Sequence, residues 1–390
     1  MKKKEYALAL AGGGTRGAYE VGAYKALIEM GINIKAICGT SIGALNGAIF
    51  LSNGVNVAEE MYSKIDISNV IDIGDDNINT DKDIFDVSNI FKLIKSYAKK
   101  KGLNNAPLKK LIENEIDISK IYENDIDFGL VTYSIKSKKA VEVFKESIKK
   151  DELIDYIMAS ACFPIYKAQK INGEEYFDGF FYDNLPINML IKKGYKNIIA
   201  IDLGSQNSRK KLIDNDVYVK YIKARENLGG IFEFNKDRIK FNINLGYLDT
   251  LKAFNKLKGH IYYFNSYEFN RLLHKFTLEE VYGLEYAAQI YGIDKYKIYK
   301  GNEFLKEVIK QHKEATQRYD KIRDKLDFKK LIKDVKVIKS VLNKCLVIPL
   351  MVDMINNKPS FKKLKIVNKL FSTYILAASA IIELEQMEKY

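Results

Sequence analysis

The residues with the clearest chemical potential are Gly39-Thr40-Ser41-Ile42-Gly43, a G-x-S-x-G. They stand between the apolar runs "IKAIC" (34–38) and "ALNGAIF" (44–50). A serine at a strand-to-helix bend keeps its hydroxyl exposed, because the flanking glycines let the turn close. The positive end of the following helix favours negative charge developing there. Ser41 is therefore a candidate nucleophile for an ester carbonyl.

Upstream, "AGGGTRG" (11–17) follows another apolar run. Read from Gly12 it fits G-x-G-x-x-G, the fingerprint of a dinucleotide loop. That reading needs a carboxylate about 20 positions on, at the end of the second strand, to hold a ribose. The place falls at Ile37-Cys38-Gly39, which has no carboxylate. The strand runs instead into the serine turn. The paired loops therefore favour another role. The backbone N–H groups of Gly12, Gly13, Gly14, Thr15, Arg16 and Gly17 would form an oxyanion hole for the intermediate made when Ser41 attacks. The plainer reading is that the glycines only let strand and helix pack closely. Arg16 could help the hole, hold an anionic head group or lie on the surface.

A nucleophilic serine needs a base. The histidine of the usual triad has no clear candidate. His260, His274 and His312 lie far downstream, in helical or weakly patterned segments, and read as surface or core residues. A carboxylate remains. In "YFDGFFYDNLPI" (176–187), Asp178 sits between a strand pattern and Gly179, in apolar surroundings. Burial there raises its pKa and suits it to accept a proton from a hydroxyl. Asp183 competes, although "DNLP" is also a turn signal, and Asp178 could itself cap a turn.

These residues need a scaffold. Residues 5–11 read as a strand, 16–30 as a helix, 34–38 as a second strand and 41–53 as a helix. This β-α-β-α start predicts a parallel sheet covered by helices. Strand patterns at 126–134 and 139–144 flank "KSKK", a hairpin signal. Residues 150–162 read as a short helix, and 165–178 as two strands around Asn172-Gly173. A helix follows from Pro186, a residue suited to the first helical turn, and 196–204 reads as a buried strand. Residues 66–85 are Asp- and Asn-rich and read as an inserted flap, and 86–116 as helices. From about 268 to 390, apolar residues recur at helical spacing. The expected organisation is an α/β domain over 1–265 and a mainly helical region over 266–390. The latter reads as a structural cap, an oligomerisation element or a membrane-docking face.

The 390 residues carry 63 Lys and Arg against 50 Asp and Glu, a net charge of +13 supplied mostly by Lys. Lys attracts anionic surfaces but suits base reading less well than Arg. Genome-wide Lys bias is the plainest reading, an anionic membrane surface the next, and nucleic acid is not expected. Hydrophobic residues make up 47%, enough for a sizeable core. Cys38, Cys162 and Cys345 lie far apart and read as buried free thiols of a reducing compartment. No Cys/His pair has zinc spacing, and the Asp cluster at 72–84 lacks the pattern of an EF-hand loop, so neither metal nor cofactor is expected. "MKKKEYALALA" has too short an apolar run for a signal peptide. The longest approach to a spanning helix, "FSTYILAASAII" (371–382), falls short of the ~18 apolar residues required. A cytoplasmic or peripheral membrane location is expected.

"GGGTRG", "GTSIG" and "DGF", in this order, resemble the patatin-like phospholipase family. The segment "ASACFPIYKAQKINGEEYFDGFFYDNLPI" (159–187) is similar to that family's stretch around its catalytic aspartate. The likeness covers roughly 5–205, with 265 as its outer bound. It implies a parallel-sheet, three-layer α/β/α domain, a Ser–Asp dyad without histidine, a glycine-loop oxyanion hole and lipid acyl hydrolysis. Carried over by position, Ser41 is the nucleophile and Asp178 the base. Gly12 to Gly17 supply the hole, and Gly39, Thr40, Ile42 and Gly43 form the nucleophile's turn. The family usually has Gly or Ala after the Asp-Gly pair, whereas here Phe180 follows Gly179. Its bulk is expected to alter specificity rather than abolish activity. The expected substrate is a phospholipid or other acyl-ester lipid, met at an anionic membrane. The rival readings are a soluble carboxylesterase or thioesterase with the same dyad, and a non-catalytic lipid-binding protein.

Overall fold

The structure, a computed structural model, describes residues 4–70, 103–204, 210–323, 344–357 and 365–388. The chain divides into two units, Met1–Leu251 and Lys252–Tyr390.

In the first unit the elements run β1 (Glu5–Leu10), α1 (Ala18–Glu29), β2 (Asn33–Thr40), α2 (Ile42–Ser52), α3 (Val55–Lys64), α4 (Ala106–Glu115), α5 (Ile118–Glu123), β3 (Asp127–Ser134), β4 (Lys139–Phe144), α6 (Leu153–Ser160), β5 (Gln169–Ile171), β6 (Glu174–Asp178), α7 (Ile187–Lys192), β7 (Asn197–Asp202), β8 (Tyr218–Lys223) and α8 (Lys236–Ala253). All eight strands belong to one sheet. The run β8-β7-β1-β2-β3 is parallel throughout. Residues 7–10 of β1 and 198–201 of β7 are apolar without interruption and buried, as parallel strands covered on both faces must be. Two glycines reveal the covering layers. A Cβ at Gly47 of α2 would meet Ile37, Phe128 and Leu10. A Cβ at Gly129 would meet Cys38 and Met189 of α7. Adjacent strand residues point to opposite faces, so α2 and α7 cover opposite faces. The unit is a three-layer α/β/α sandwich.

The sheet is mixed at one margin, where β4, β5 and β6 pair antiparallel, as the hairpin signals at 126–144 and around Asn172-Gly173 predict. β3 explains how. Its residues Gly129 to Val131 pair with both β2 and β4, so those two strands lie on opposite edges. Its residues Thr132 to Ser134 pair with both β4 and β6. A strand has only two edges, so β6 lies on the same edge as β2 and takes over where β2 stops. β2 ends with Thr40 opposite Val131, and β6 ends with Asp178 opposite Thr132. The two strands abut by their C-terminal ends.

Differences from the expected elements have local causes. Pro186 precedes the first turn of α7 rather than lying in it. β8 and α8 fall in a stretch to which no element was assigned. β8 is an edge strand with few buried residues. α8 packs against α1 through Gly22 and Gly246, where a Cβ would stand 1.8 Å from the Ile243 carbonyl oxygen and 1.9 Å from that of Tyr19. The Asp-rich stretch 72–84 and the residues 86–102 lie outside the described residues. Cys38 and Cys162 are buried, whereas Cys345 is half-buried because its position on a helix leaves it partly open to solvent.

The second unit holds β9 (Leu257–Lys258), β10 (Tyr263–Asn265), α9 (Ser266–Leu273), α10 (Leu278–Ile290), β11 (Ile298–Tyr299), α11 (Gly301–Arg323), α12 (Lys344–Asn357) and α13 (Lys365–Glu388). Residues 252–265, grouped with the first domain on composition, give this unit β9 and β10, with Tyr262 and Phe264 in its aromatic core. The fully buried Glu285 accepts the N–H groups of His260, Ile261 and Tyr262. Among the described residues, no helix is long and apolar enough to cross a membrane.

Candidate active site

Ser41 is the single residue between β2 and α2. Its φ of 55° and ψ of −125° place a side-chain-bearing residue in the left-handed half of conformational space, a strained state that persists only where its surroundings enforce it. They do so from several sides. The Ser41 carbonyl accepts the N–H groups of Ala44 and Leu45, at 3.0 and 3.2 Å. The Ser41 N–H donates to Ser160 Oγ (2.9 Å), and Ser160 in turn donates to the Val131 carbonyl (2.7 Å). Thr40 Oγ1 donates to the Asp183 carbonyl (2.7 Å). Gly39 lets the turn close, since a Cβ there would stand 2.2 Å from the Gly43 carbonyl carbon.

Ser41 Oγ donates to Asp178 Oδ2 at 2.6 Å. The abutting ends of β2 and β6 make this contact possible across 137 residues of sequence. The other carboxylate oxygen, Oδ1, accepts the Phe180 N–H at 2.8 Å. Asp178 is 1% exposed. Burial pushes its pKa from 3.8 up to about 7, against the opposing pull of the bonds from Ser41 and Phe180. Gly179 lets the segment lie against β3, since a Cβ there would stand 2.6 Å from the Val131 carbonyl oxygen. Asp183 is not placed against Ser41. Its carboxylate lies 3.7 Å from Lys210 Nζ. Burial raises its pKa to about 6, with Lys210 opposing. All three histidines belong to the second unit.

The glycine loop passes close to this turn, and a Cβ at Gly12 would stand 3.1 Å from Ser41 Cβ. Its amides divide into two sets. The Gly12 N–H donates to the Asn184 carbonyl (3.0 Å), Thr15 to Ile231 (2.9 Å) and Arg16 to Gly13 (3.3 Å). Asn184 Nδ2 returns a bond to the Gly12 carbonyl (3.0 Å). Among the described residues, no acceptor takes the N–H of Gly13 or Gly14. Gly14 has a φ of 57°, and a Cβ there would stand 2.0 Å from the Ile231 carbonyl oxygen, so only glycine fits. Gly17 closes the loop beneath Asn46, which donates to its carbonyl. Arg16 turns away to a neighbouring loop. Its Nε donates to the Gly229 carbonyl (2.7 Å), and burial lowers its pKa while Glu233 opposes.

A largely apolar cavity of about 90 Å³ adjoins Ser41, walled by Leu45, Tyr62, Ile65, Phe163, Phe232 and Phe234 among others. Phe180 is half-buried, with its ring edge-on to Phe163 (6.0 Å) and Phe181 (5.3 Å). Among the described residues, no group of three or more His, Cys, Asp or Glu is arranged to hold a metal.

Sequence reasoning passed over Ser160 and Asn184. Both lie in quoted stretches, "ASACFP" and "DNLP", but their partners are backbone groups. The local signal at Ser160 was a small polar residue within an apolar run, and Asn184 was masked by the turn-like "DNLP".

Residues 8–191 match the family model for patatin-like phospholipase. Patatin-like phospholipase domain-containing protein 7 of Rattus norvegicus is 31% identical over 204 residues, covering 52% of this chain and 14% of that one. Lysophospholipase NTE1 of Kluyveromyces lactis is 26% identical over 297 residues, covering 74% of this chain and 19% of that one. The chain thus spans less than a fifth of the length of either relative. Among solved structures, VipD from Legionella pneumophila has a TM-score of 0.42 at 14% identity, covering 97% of this chain and 90% of that one. By sequence match and by the order of its motifs, residues 8–191 are a domain of the patatin-like phospholipase family.

Proposed function

We propose that this chain is a lipid acyl hydrolase of the phospholipase A type, working through a Ser41–Asp178 dyad. The observation that carries the reading is the 2.6 Å bond from Ser41 Oγ to a buried carboxylate. Asp178 takes the Ser41 proton as Oγ attacks the acyl carbonyl carbon. The carbonyl oxygen becomes an oxyanion and accepts the Gly13 and Gly14 N–H groups, with the start of α2 adding its positive end. Each such donor contributes about 3–4 kcal/mol by comparison with measured oxyanion holes. Protonated Asp178 then gives its proton to the leaving alcohol as the tetrahedral intermediate collapses to an acyl-serine. Water, deprotonated by Asp178, hydrolyses that ester and restores Ser41. A base whose pKa lies near neutrality can both accept and return the proton. The apolar lining of the cavity beside Ser41 suits the first carbons of an acyl chain. Names among the relatives, a lysophospholipase and phospholipase-domain proteins, support a membrane-lipid substrate. The Lys excess favours a peripheral encounter with anionic bilayers.

The test is hydrolysis of a fluorogenic phospholipid in vesicles and of a short-chain monomeric ester. Wild type, Ser41→Ala and Asp178→Asn are compared, with folding checked by circular dichroism. Vesicle hydrolysis by wild type and its loss in both folded variants are expected. Activity surviving in Asp178→Asn would refute the dyad. Cleavage of the monomeric ester alone would identify a soluble esterase. Silence on both substrates, with vesicle binding, would identify a lipid-binding protein.

A further inference from the structure

One buried carboxyl takes no part in this chemistry. Glu20, in the first turn of α1, is wholly inaccessible to solvent. The Ala11 N–H and Asn46 Nδ2 (2.8 Å) donate to it, while its Oε1 has no hydrogen-bond partner among the described residues. Asn46 Nδ2 also donates to the Gly17 carbonyl (3.1 Å), and the Tyr62 hydroxyl donates to Asn46 Oδ1 (3.2 Å). Ala11 precedes the glycine loop and Gly17 ends it. One Glu–Asn pair therefore ties both ends of the loop to a single point in the core. The fit there is close: a Cβ at Gly17 would stand 2.5 Å from the Tyr62 hydroxyl oxygen and 2.9 Å from Asn46 Nδ2. Tyr62 also lines the cavity beside Ser41, so the same pair connects the cavity wall to the loop.

We propose that Glu20 and Asn46 are positioning residues that fix the aim of the Gly13 and Gly14 amides toward the oxyanion. The proposal rests on the hydrolase reading above. Its chemistry follows from burial. Desolvation pushes Glu20 well above the usual carboxylate range, which favours its protonated form. Oε2 accepts from Asn46 while Oε1 accepts nothing from the described residues, so one accepting oxygen is what the site uses. Glutamine reproduces that pattern, with an amide oxygen accepting and an NH₂ in place of Oε1. Leucine fills similar space but leaves the Ala11 N–H and Asn46 Nδ2 short of an acceptor. Displacement of a catalytic group by ~1 Å is enough to cost ~100-fold in rate.

The experiment compares wild type, Glu20→Gln, Glu20→Leu and Asn46→Ala in kcat and KM on the short-chain ester, with pH profiles. Glu20→Leu and Asn46→Ala are expected to lose at least ~10-fold in kcat with KM changed less than ~2-fold, while Glu20→Gln stays within ~3-fold of wild type. The acidic limb set by Asp178 should not move in any variant, because its surroundings are untouched. Should Glu20→Leu fail to fold, Asn46→Ala is judged by the same criterion. Unchanged kcat in the truncated variants overturns the proposal, as does a loss in Glu20→Gln as large as in Glu20→Leu. A wild type inactive on both the ester and phospholipid vesicles refutes the hydrolase reading itself, and the positioning role with it.

Discussion

Replacing Asp178 by Asn should abolish hydrolysis and, in alkaline solution, stabilise the fold. Burial moves the Asp178 pKa from 3.8 to about 7. Below 3.8 the carboxyl is protonated in both the folded and the unfolded chain. Between the two values the folded chain holds a proton that the unfolded chain has released, so stability falls as pH rises. The fall ends once pH passes the folded value. At about 1.4 kcal/mol per pH unit the full loss is about 4 kcal/mol. About 2.5 kcal/mol of it falls between pH 5 and pH 8. Asn has no proton to release, so this slope vanishes in the variant. Urea unfolding of both proteins at pH 5 and pH 8 measures the difference. The stability of Asp178→Asn relative to wild type should rise by about 2.5 kcal/mol across that interval. On the proposed mechanism the same ionisation sets the rate, so wild-type kcat/KM should fall about tenfold per pH unit below pH 7. A stability gap equal at both pH values, or a rate level down to pH 5, would refute the assignment of a buried, neutral-pH base.

Three further outcomes follow. Ser160→Ala leaves the Ser41 N–H without its acceptor, so a loss of about 1–3 kcal/mol in unfolding free energy is expected, with kcat reduced and KM nearly constant in steady-state assays. Gly39→Ala drives a methyl group into the Gly43 backbone, 2.2 Å away. It should lower the melting temperature and extinguish labelling of Ser41 by an organophosphonate. Phe180→Ala removes the edge-on contacts with Phe163 and Phe181 while keeping the N–H that binds Asp178. It should lose about 1 kcal/mol or more of stability yet retain hydrolysis, with an altered preference across a series of acyl chain lengths.

The fold was legible where chemistry and periodicity coincide. The runs around Leu8, Ile37 and Ile199 are apolar because both faces of a parallel strand are covered, and that pattern is visible in a single sequence. The bend at Ser41 was legible through its glycines. Asp178 was singled out by its apolar setting and by family resemblance, not by any sequence distance to Ser41. What escaped was carried by backbone partners. Ser160, Asn184 and Glu20 act on the N–H or C=O groups of Ser41, Gly12 and Ala11, and a backbone group leaves no mark on residue type. β8 was hidden by its exposed edge position, and α8 by a helix–helix contact made through glycines rather than through a broad apolar stripe.

The meeting of β2 and β6 on one edge of β3 has a consequence for how the site comes into being. Ser41 and Asp178 have no local route to one another, because closing so long a loop costs chain entropy before any contact repays it. The ruler that sets their spacing is the adjacent pair Val131 and Thr132, so the centre assembles only after three distant segments have paired. During synthesis from the N-terminus, the glycine loop and the serine turn emerge well before the carboxylate exists. Until residue 178 has been made, the proposed nucleophile therefore has no proton acceptor. In refolding, recovery of hydrolysis should lag behind recovery of helical signal and report the joining of β6 to the sheet.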